Sequence, residues 1–193
     1  MATASGRPLQ MHMQIRPAHA GDAPTLAVLC VEHAEYERLA SRADAGLSER
    51  LAHALEAGRV HAWLLLVAEQ VQGYASVTID FSTMAAQPFL HMDCLYLRQG
   101  ARGRGMGLAL MQTLAAFGHL KGCCDMQWQT PAWNRRATRF YLRAGATALD
   151  KTRFTLPLGA LVPPSDRLAD LGQAGALPGA VGENLSGLTL ARC

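Results

Sequence analysis

The sequence has no uninterrupted apolar run of about 18 residues, the length a membrane-spanning helix requires, so no membrane partner is expected. Its opening residues, MATASGRPLQMHM, lack the apolar stretch of a secretory signal. Residues 1–12 read as a disordered arm, with Met11 or Met13 as an alternative start. Five cysteines occur, at Cys30, Cys94, Cys123, Cys124 and Cys193, an odd number with no CxxC spacing. That pattern argues for reduced thiols in the cytoplasm, against a disulfide framework or a zinc knuckle. The seven histidines show no HxxxH spacing, and no metal is expected. Internal repeats are absent. So is the strict strand–helix alternation of a doubly wound dinucleotide fold.

Half of the residues are apolar, enough for the core of one domain. Charge is unevenly divided. Residues 1–90 hold six arginines against nine acids, a balance of −3, and residues 91–160 hold ten Lys or Arg against three Asp, a balance of +7. Two unlike ligands would suit such a chain, a cation for the first half and an anion for the second, although scattered solvated charge gives the same totals.

The fold class expected is mixed α/β, in the order β-α-α-β-β-β-α-β-α-β. MQIRPA alternates apolar and polar residues and ends at Pro17, as a short strand does. A first helix follows, with Asp22 as N-cap and Pro24 in its first turn, then a second with Ser48 as cap and Gly58 as stop. VHAWLLLVAEQVQGYASVTIDF reads as two strands about a turn near Glu69, and PFLHMDCLYL as a central strand, apolar almost throughout. A helix from about residue 105 to 120, a strand over CDMQWQT, a helix between Asn134 and Gly145, and one or two closing strands over TALDKTRFTL complete a domain spanning 13–156. Residues 157–193, rich in Pro, Gly and Ala, read as a flexible tail with a weak helix around 167–171.

One stretch stands apart. ARGRGMGLALM, residues 101–111, alternates arginine and glycine and then runs straight into an apolar helix. Exposed N–H groups at a helix start, with the positive end of the helix dipole, bind anions, and glycine lets the backbone come close. A solvated turn or an RNA contact would use the same residues, but the aromatics on which RNA bases stack are missing around them, so no nucleic acid partner is expected.

Arg102, Gly105 and Gly107, after a central strand and opening a helix, resemble the acetyl-CoA motif of the GNAT acetyltransferase superfamily. A second block, AWNRRATRFYLRAGA at 132–146, resembles that family's Asn…Phe-Tyr…Gly-Ala segment with its spacing intact. The resemblance spans about 13–156 and implies the GNAT fold, with a splayed cleft for acetyl-CoA as co-substrate. It implies that the backbone of Arg102, Gly103, Arg104, Gly105, Met106, Gly107 and Leu108 wraps the pyrophosphate, with Arg98, Arg102 and Arg104 as countercharge. The strand backbone at Leu95 and Leu97 would pair with the pantetheine arm. Asn134 would touch the cofactor, cap its helix, or do both.

Acetyl transfer to an amine calls for a base and an acid. The resemblance gives the acid to Tyr141, the tyrosine of the Phe-Tyr pair. Many family members place a glutamate nine residues before the motif arginine, and here that position is Asp93. Strict alternation would set Asp93 on one strand face with His91, Leu95 and Leu97, where apolar surroundings would raise its pKa unless an ion pair claims it. Asp is a methylene shorter than Glu, so a water could relay the proton. His91 is the reserve base. Cys94 is expected in the core, not as a nucleophile. VEHAEYERLA in the first helix resembles the diamine and polyamine branch, which would place Glu32, Glu35 and Tyr36 at a small cationic amine substrate, with Glu32 and Glu35 sharing a face and Glu37 pointing elsewhere. Aminoglycoside, amino-acid or protein acetylation, or a CoA-binding regulatory module, are the competing functions. The fold also allows a homodimer through its C-terminal strands.

Overall fold

The computed structural model describes residues 12–39 and 44–158. The expected N-terminal arm, apart from His12, and the tail from residue 159, with its helix around 167–171, lie outside the described residues. The backbone divides into two units, Met1–Ala146 and Thr147–Cys193.

The first unit is built on a five-stranded sheet in the order β1-β2-β3-β4-β5, comprising Met13–Pro17, His61–Val67, Gln70–Ser82, Gln87–Leu97 and Met126–Gln127. The first four strands are antiparallel, and β5 joins β4 in parallel. Helices α1 (Ala23–Glu37) and α2 (Leu47–Glu56) separate β1 from β2, α3 (Met106–Leu120) links β4 to β5, and α4 (Arg135–Arg143) follows β5.

The near-continuous apolar run of β2 is explained by helices on both sheet faces. Ala62 and Leu64 pack with Leu26 and Leu29 of α1, while Trp63 and Leu65 pack with Leu110 and Leu114 of α3. Leu29, Leu64, Leu65, Leu110 and Leu114 are fully buried, each contributing about 1.5–3 kcal/mol of burial. Ala68 and Glu69 both take positive φ, 49° and 64°, so the β2–β3 hairpin turns there without glycine.

Capping differs from the sequence reading at two helices. Asp22 stands at the N-cap of α1, but its carboxylate makes no cap bond to that helix. It accepts two bonds from the Arg16 guanidinium, at 2.7 and 2.8 Å, and one from the His19 N–H at 3.0 Å. The Arg16 bonds are the main reason its pKa falls to about 2. Helix α2 begins two residues earlier than expected, at Leu47, so its N-cap is Gly46 and Ser48 lies inside it.

Of the second unit, residues 147–157 carry no regular structure, which corrects the expected closing strands. The alternation of Phe154 and Leu156 resembles a strand, yet a strand needs a neighbour to bond, and Phe154 is 87% exposed. The expected strand over CDMQWQT contracts to Met126–Gln127 for the same reason, since β5 pairs only with Leu90 and His91.

The most consequential irregularity is in β4. Ser76 of β3 faces Cys94 while Val77 faces Met92, so Asp93 is an extra residue, a β-bulge. The bulge resets side-chain parity. Met92 and Leu95, three apart, both join the α3-side cluster, and Cys94 and Tyr96 turn to the α1 side. Beyond the bulge β4 has no partner on its outer side among the described residues, the last β5 pairing being at His91.

Candidate active site

A cleft of about 410 Å³ lies between the end of β4, the start of α3, α4 and the end of α1. Leu95, Leu97, Arg102, Gly103, Gly105, Gly107, Leu108, Asn134, Tyr141 and Tyr36 all line it. Ten residues predicted from three sequence blocks thus meet at one surface.

At the start of α3, Ala109 is the first residue of the helix whose N–H finds a backbone acceptor, Gly105 O at 3.1 Å. The amides of Met106, Gly107 and Leu108 are the orphan donors of the helix start. Gly103 and Gly105 reach φ of 80° and 77°, a region that favours glycine, and so bend the loop beneath those amides. Gly107 does something different. A Cβ there would meet the Phe140 ring at 3.3 Å, so its lack of a side chain lets α3 and α4 approach. Met106 is buried beneath the loop and Arg104 is exposed, and neither side chain lines the cleft. Arg136, which sequence reading missed, adds a cation to this wall, its Nη2 4.0 Å from where a Gly103 Cβ would stand.

Arg102 crosses the cleft. Its Nε donates to Leu97 O at 2.7 Å, and its guanidinium lies over the Tyr36 ring at 4.2 Å. Asn134 is buried, and its side chain accepts the Ala137 N–H at 3.1 Å, so it caps α4 from within the cleft wall. Tyr141 packs its ring against Trp128, with centroids 5.0 Å apart. Burial, then the Glu37 carboxylate, pushes its pKa up to about 12, so its hydroxyl stays protonated at neutral pH.

The opposite wall departs more from expectation. Asp93 is exposed on the bulge and does not line the cleft. The apolar surroundings expected for it belong instead to Met92 and Leu95, because the bulge breaks the alternation that placed it there. His91 is drawn to Asp80, at 3.3 Å. Glu32 and Arg98 engage one another through two bonds, Nε at 2.9 Å and Nη2 at 2.6 Å. Those bonds, the Nη2 and Nε donors foremost, lower the pKa of Glu32. Arg98 thereby ties α1 to the sheet and also holds Val71 O at 2.8 Å. Glu35 is exposed and does not line the cleft. The acid of α1 that does line it is Glu37, with His33 one turn earlier, whereas the sequence reading pointed Glu37 away. Helical spacing fixes their common face, but only the tertiary fold says where that face looks.

Cys94 is half-buried, and burial, followed by the Asp93 charge, pushes its thiol up to about 12, which leaves no thiolate for nucleophilic attack. Cys30 and Cys123 are likewise free thiols. Among the described residues no cluster of three or more His, Cys, Asp or Glu could hold a metal ion, and no helix is long and apolar enough to cross a membrane.

Known proteins share this architecture. The chain is 29% identical over 127 residues to a thialysine N-epsilon-acetyltransferase of Caenorhabditis elegans, covering 66% of this chain and 76% of that one. It is 28% identical over 148 residues to the Bos taurus protein of the same name, covering 71% and 85%. Its fold superposes on aminoglycoside N-acetyltransferase AAC(6')-Iy, solved in complex with CoA, with a TM-score of 0.67 at 18% identity, over 78% of this chain and 98% of that one. The profile of the Acetyltransferase (GNAT) family matches residues 27–146, which contain both walls of the cleft, and the chain belongs to this family of acyl-transferring enzymes.

Proposed function

We propose that the protein is an acetyl-CoA-dependent N-acetyltransferase that moves the acetyl group to the primary amine of a small cationic substrate by direct attack in a ternary complex. The observation that carries this reading is that Gly107 and Leu108, with their orphan amides, and Tyr141, with its protonated hydroxyl, line one cleft. The residues fit acetyl-CoA. Donors at Met106, Gly107 and Leu108 with Arg102 and Arg136 suit a pyrophosphate, and the unpaired outer side of β4 at Leu95 and Leu97 suits an amide-bearing arm. When bound, the cofactor supplies the activated thioester. Tyr141 then protonates the leaving sulfur, Asn134 holds the start of α4 in place, and Arg102 exchanges its bond to Leu97 O for the incoming ligand. Asp93 reaches the reacting amine only through a water.

Support for a small amine acceptor comes from Glu37, a carboxylate that lines the cleft and attracts an ammonium group. The relatives named for thialysine point to a lysine-like side-chain amine, and an acetylated polyamine is the neighbouring possibility. The test is release of free CoA thiol from acetyl-CoA with thialysine, spermidine, putrescine, lysine, an aminoglycoside and a short peptide. Turnover is expected with thialysine or a polyamine. Turnover with the aminoglycoside or the peptide alone would replace the substrate class. CoA raising the melting temperature with no turnover for any amine would favour a CoA-binding module.

A further inference from the structure

The cleft holds a titratable side chain, His33, to which the sequence reading assigned no task, and beside it Glu37, the glutamate of the Tyr36-Glu37 pair. His33 and Glu37 lie one helical turn apart near the end of α1, and both line the cleft. The His33 side chain is 12% exposed and Glu37 23% exposed, so each is mostly withdrawn from solvent yet open on the cleft side. His33 Nε2 is 3.5 Å from Glu37 Oε1. Its other nitrogen, Nδ1, is 3.3 Å from the hydroxyl of Tyr74, which is itself fully buried. The imidazole ring stacks on Tyr96, with centroids 5.2 Å apart and planes 27° from parallel. Tyr74 and Tyr96 therefore fix the ring plane, and Nε2 is the nitrogen beside Glu37. Glu37 also acts electrostatically on the Tyr141 hydroxyl, which places the pair and the expected acid within one field.

Building on the acetyltransferase reading and on Glu37 as the carboxylate that receives the amine, we propose that His33 is the general base that deprotonates it. The charged and titratable groups facing His33 are Glu37 on its own helix, Tyr74 of β3, Asp93 and Tyr96 of β4, and Arg102 of the loop before α3. Burial is the dominant influence and lowers the imidazole pKa, while Glu37 and Asp93 oppose it and Arg102 reinforces it. At neutral pH the ring is neutral; in the tautomer that carries its proton on Nδ1, donated to the Tyr74 hydroxyl, Nε2 accepts a proton, and Glu37 steadies the imidazolium that forms.

The proton balance closes within the cleft. An incoming ammonium gives one proton to His33 Nε2, and the freed amine nitrogen attacks the thioester carbonyl carbon. As the N–C bond forms and the C–S bond breaks, Tyr141 gives its proton to sulfur and recovers one from the new amide nitrogen. His33 then releases its proton to water. The products are the acetylated amine, the free thiol and one proton, and no further reactant is needed.

The experiment compares kcat/KM against pH for the wild type, His33→Gln, Glu37→Gln and Asp93→Asn, with thialysine as acceptor. Wild type should show an acidic limb below about 6.5, the ordinary imidazole value. His33→Gln should lose that limb and lower kcat by about 100-fold. Glu37→Gln should raise the KM for the amine and move the limb to lower pH, since a charge favouring imidazolium is gone. Asp93→Asn should keep the limb, also at lower pH. A limb kept in His33→Gln, or erased in Asp93→Asn, overturns the proposal while leaving acetyl transfer standing. If the wild type turns over no amine, the transferase reading fails, and imidazole NMR of the full chain with CoA still decides the pair. Addition of thialysine should then shift the resonance that is missing in His33→Gln. No shift overturns the pair as an amine site, and the CoA-induced rise in melting temperature verifies that the variant is folded.

Discussion

The two walls of the cleft are built in contrasting ways. The α3–α4 wall is local: a loop of a few residues carries its glycines, its amides and its first arginine in sequence order, and the next helix adds Asn134 and Tyr141. The α1–β4 wall is assembled from residues about sixty apart, with Glu32 clasped by Arg98, His33 stacked on Tyr96, and Tyr36 beneath Arg102. Local chemistry yields a motif that recurs between proteins. Assembled chemistry lets the recognised substrate change while the motif stays, because each contact depends on a separate packing choice.

The largest expected effect tests the α3–α4 wall. Tyr141→Phe removes the acid and should lower kcat by about 100-fold while CoA still raises the melting temperature. An unchanged kcat would take the tyrosine out of the chemistry. Next comes the residue that joins the walls. Arg102→Ala should raise the KM for acetyl-CoA about tenfold, the order of one charge-assisted hydrogen bond. If only the KM for the amine changes, Arg102 belongs to the acceptor wall. Asp22→Asn, remote from both walls, should destabilise the fold by about 1 kcal/mol at neutral pH, read from denaturant midpoints. The sign follows from linkage. The folded pKa of about 2 lies below the ordinary 3.8, so the contribution is complete above pH 4 and is lost as pH falls toward 2. The smallest effect is Ser48→Ala, within about 0.5 kcal/mol, since Gly46 holds the N-cap of α2. A loss of 1 kcal/mol or more there would restore the serine cap.

The same contrast explains what the sequence disclosed. Helix limits at Met106 and Arg135, the Asn134 cap and the turn at Gly103 and Gly105 were legible because glycine, Asn and apolar spacing act over a single turn. Asp93 was misplaced because a bulge leaves no mark in an apolar strand, and one extra residue exchanges the faces of everything after it. Glu37 rather than Glu35 lines the cleft, because helical periodicity groups side chains without saying which group faces it. Arg136 was hidden among four arginines of one short helix, where only the approach of Gly103 singles it out. The closing strands failed for want of a neighbour, which no local pattern can supply.

The unpaired side of β4 has a further consequence for solubility. A strand edge with open N–H and C=O groups is the usual template for edge-to-edge aggregation. Here the open stretch follows the last β5 pairing at His91, and Phe140 and Tyr141 of α4 stand across the cleft from it. A flat foreign strand is kept away by that helix, whereas a slender chain entering the cleft can bond there. Removing α4 would therefore convert a recessed groove into an exposed, self-adhesive edge, so the helix that carries Tyr141 also shields that edge.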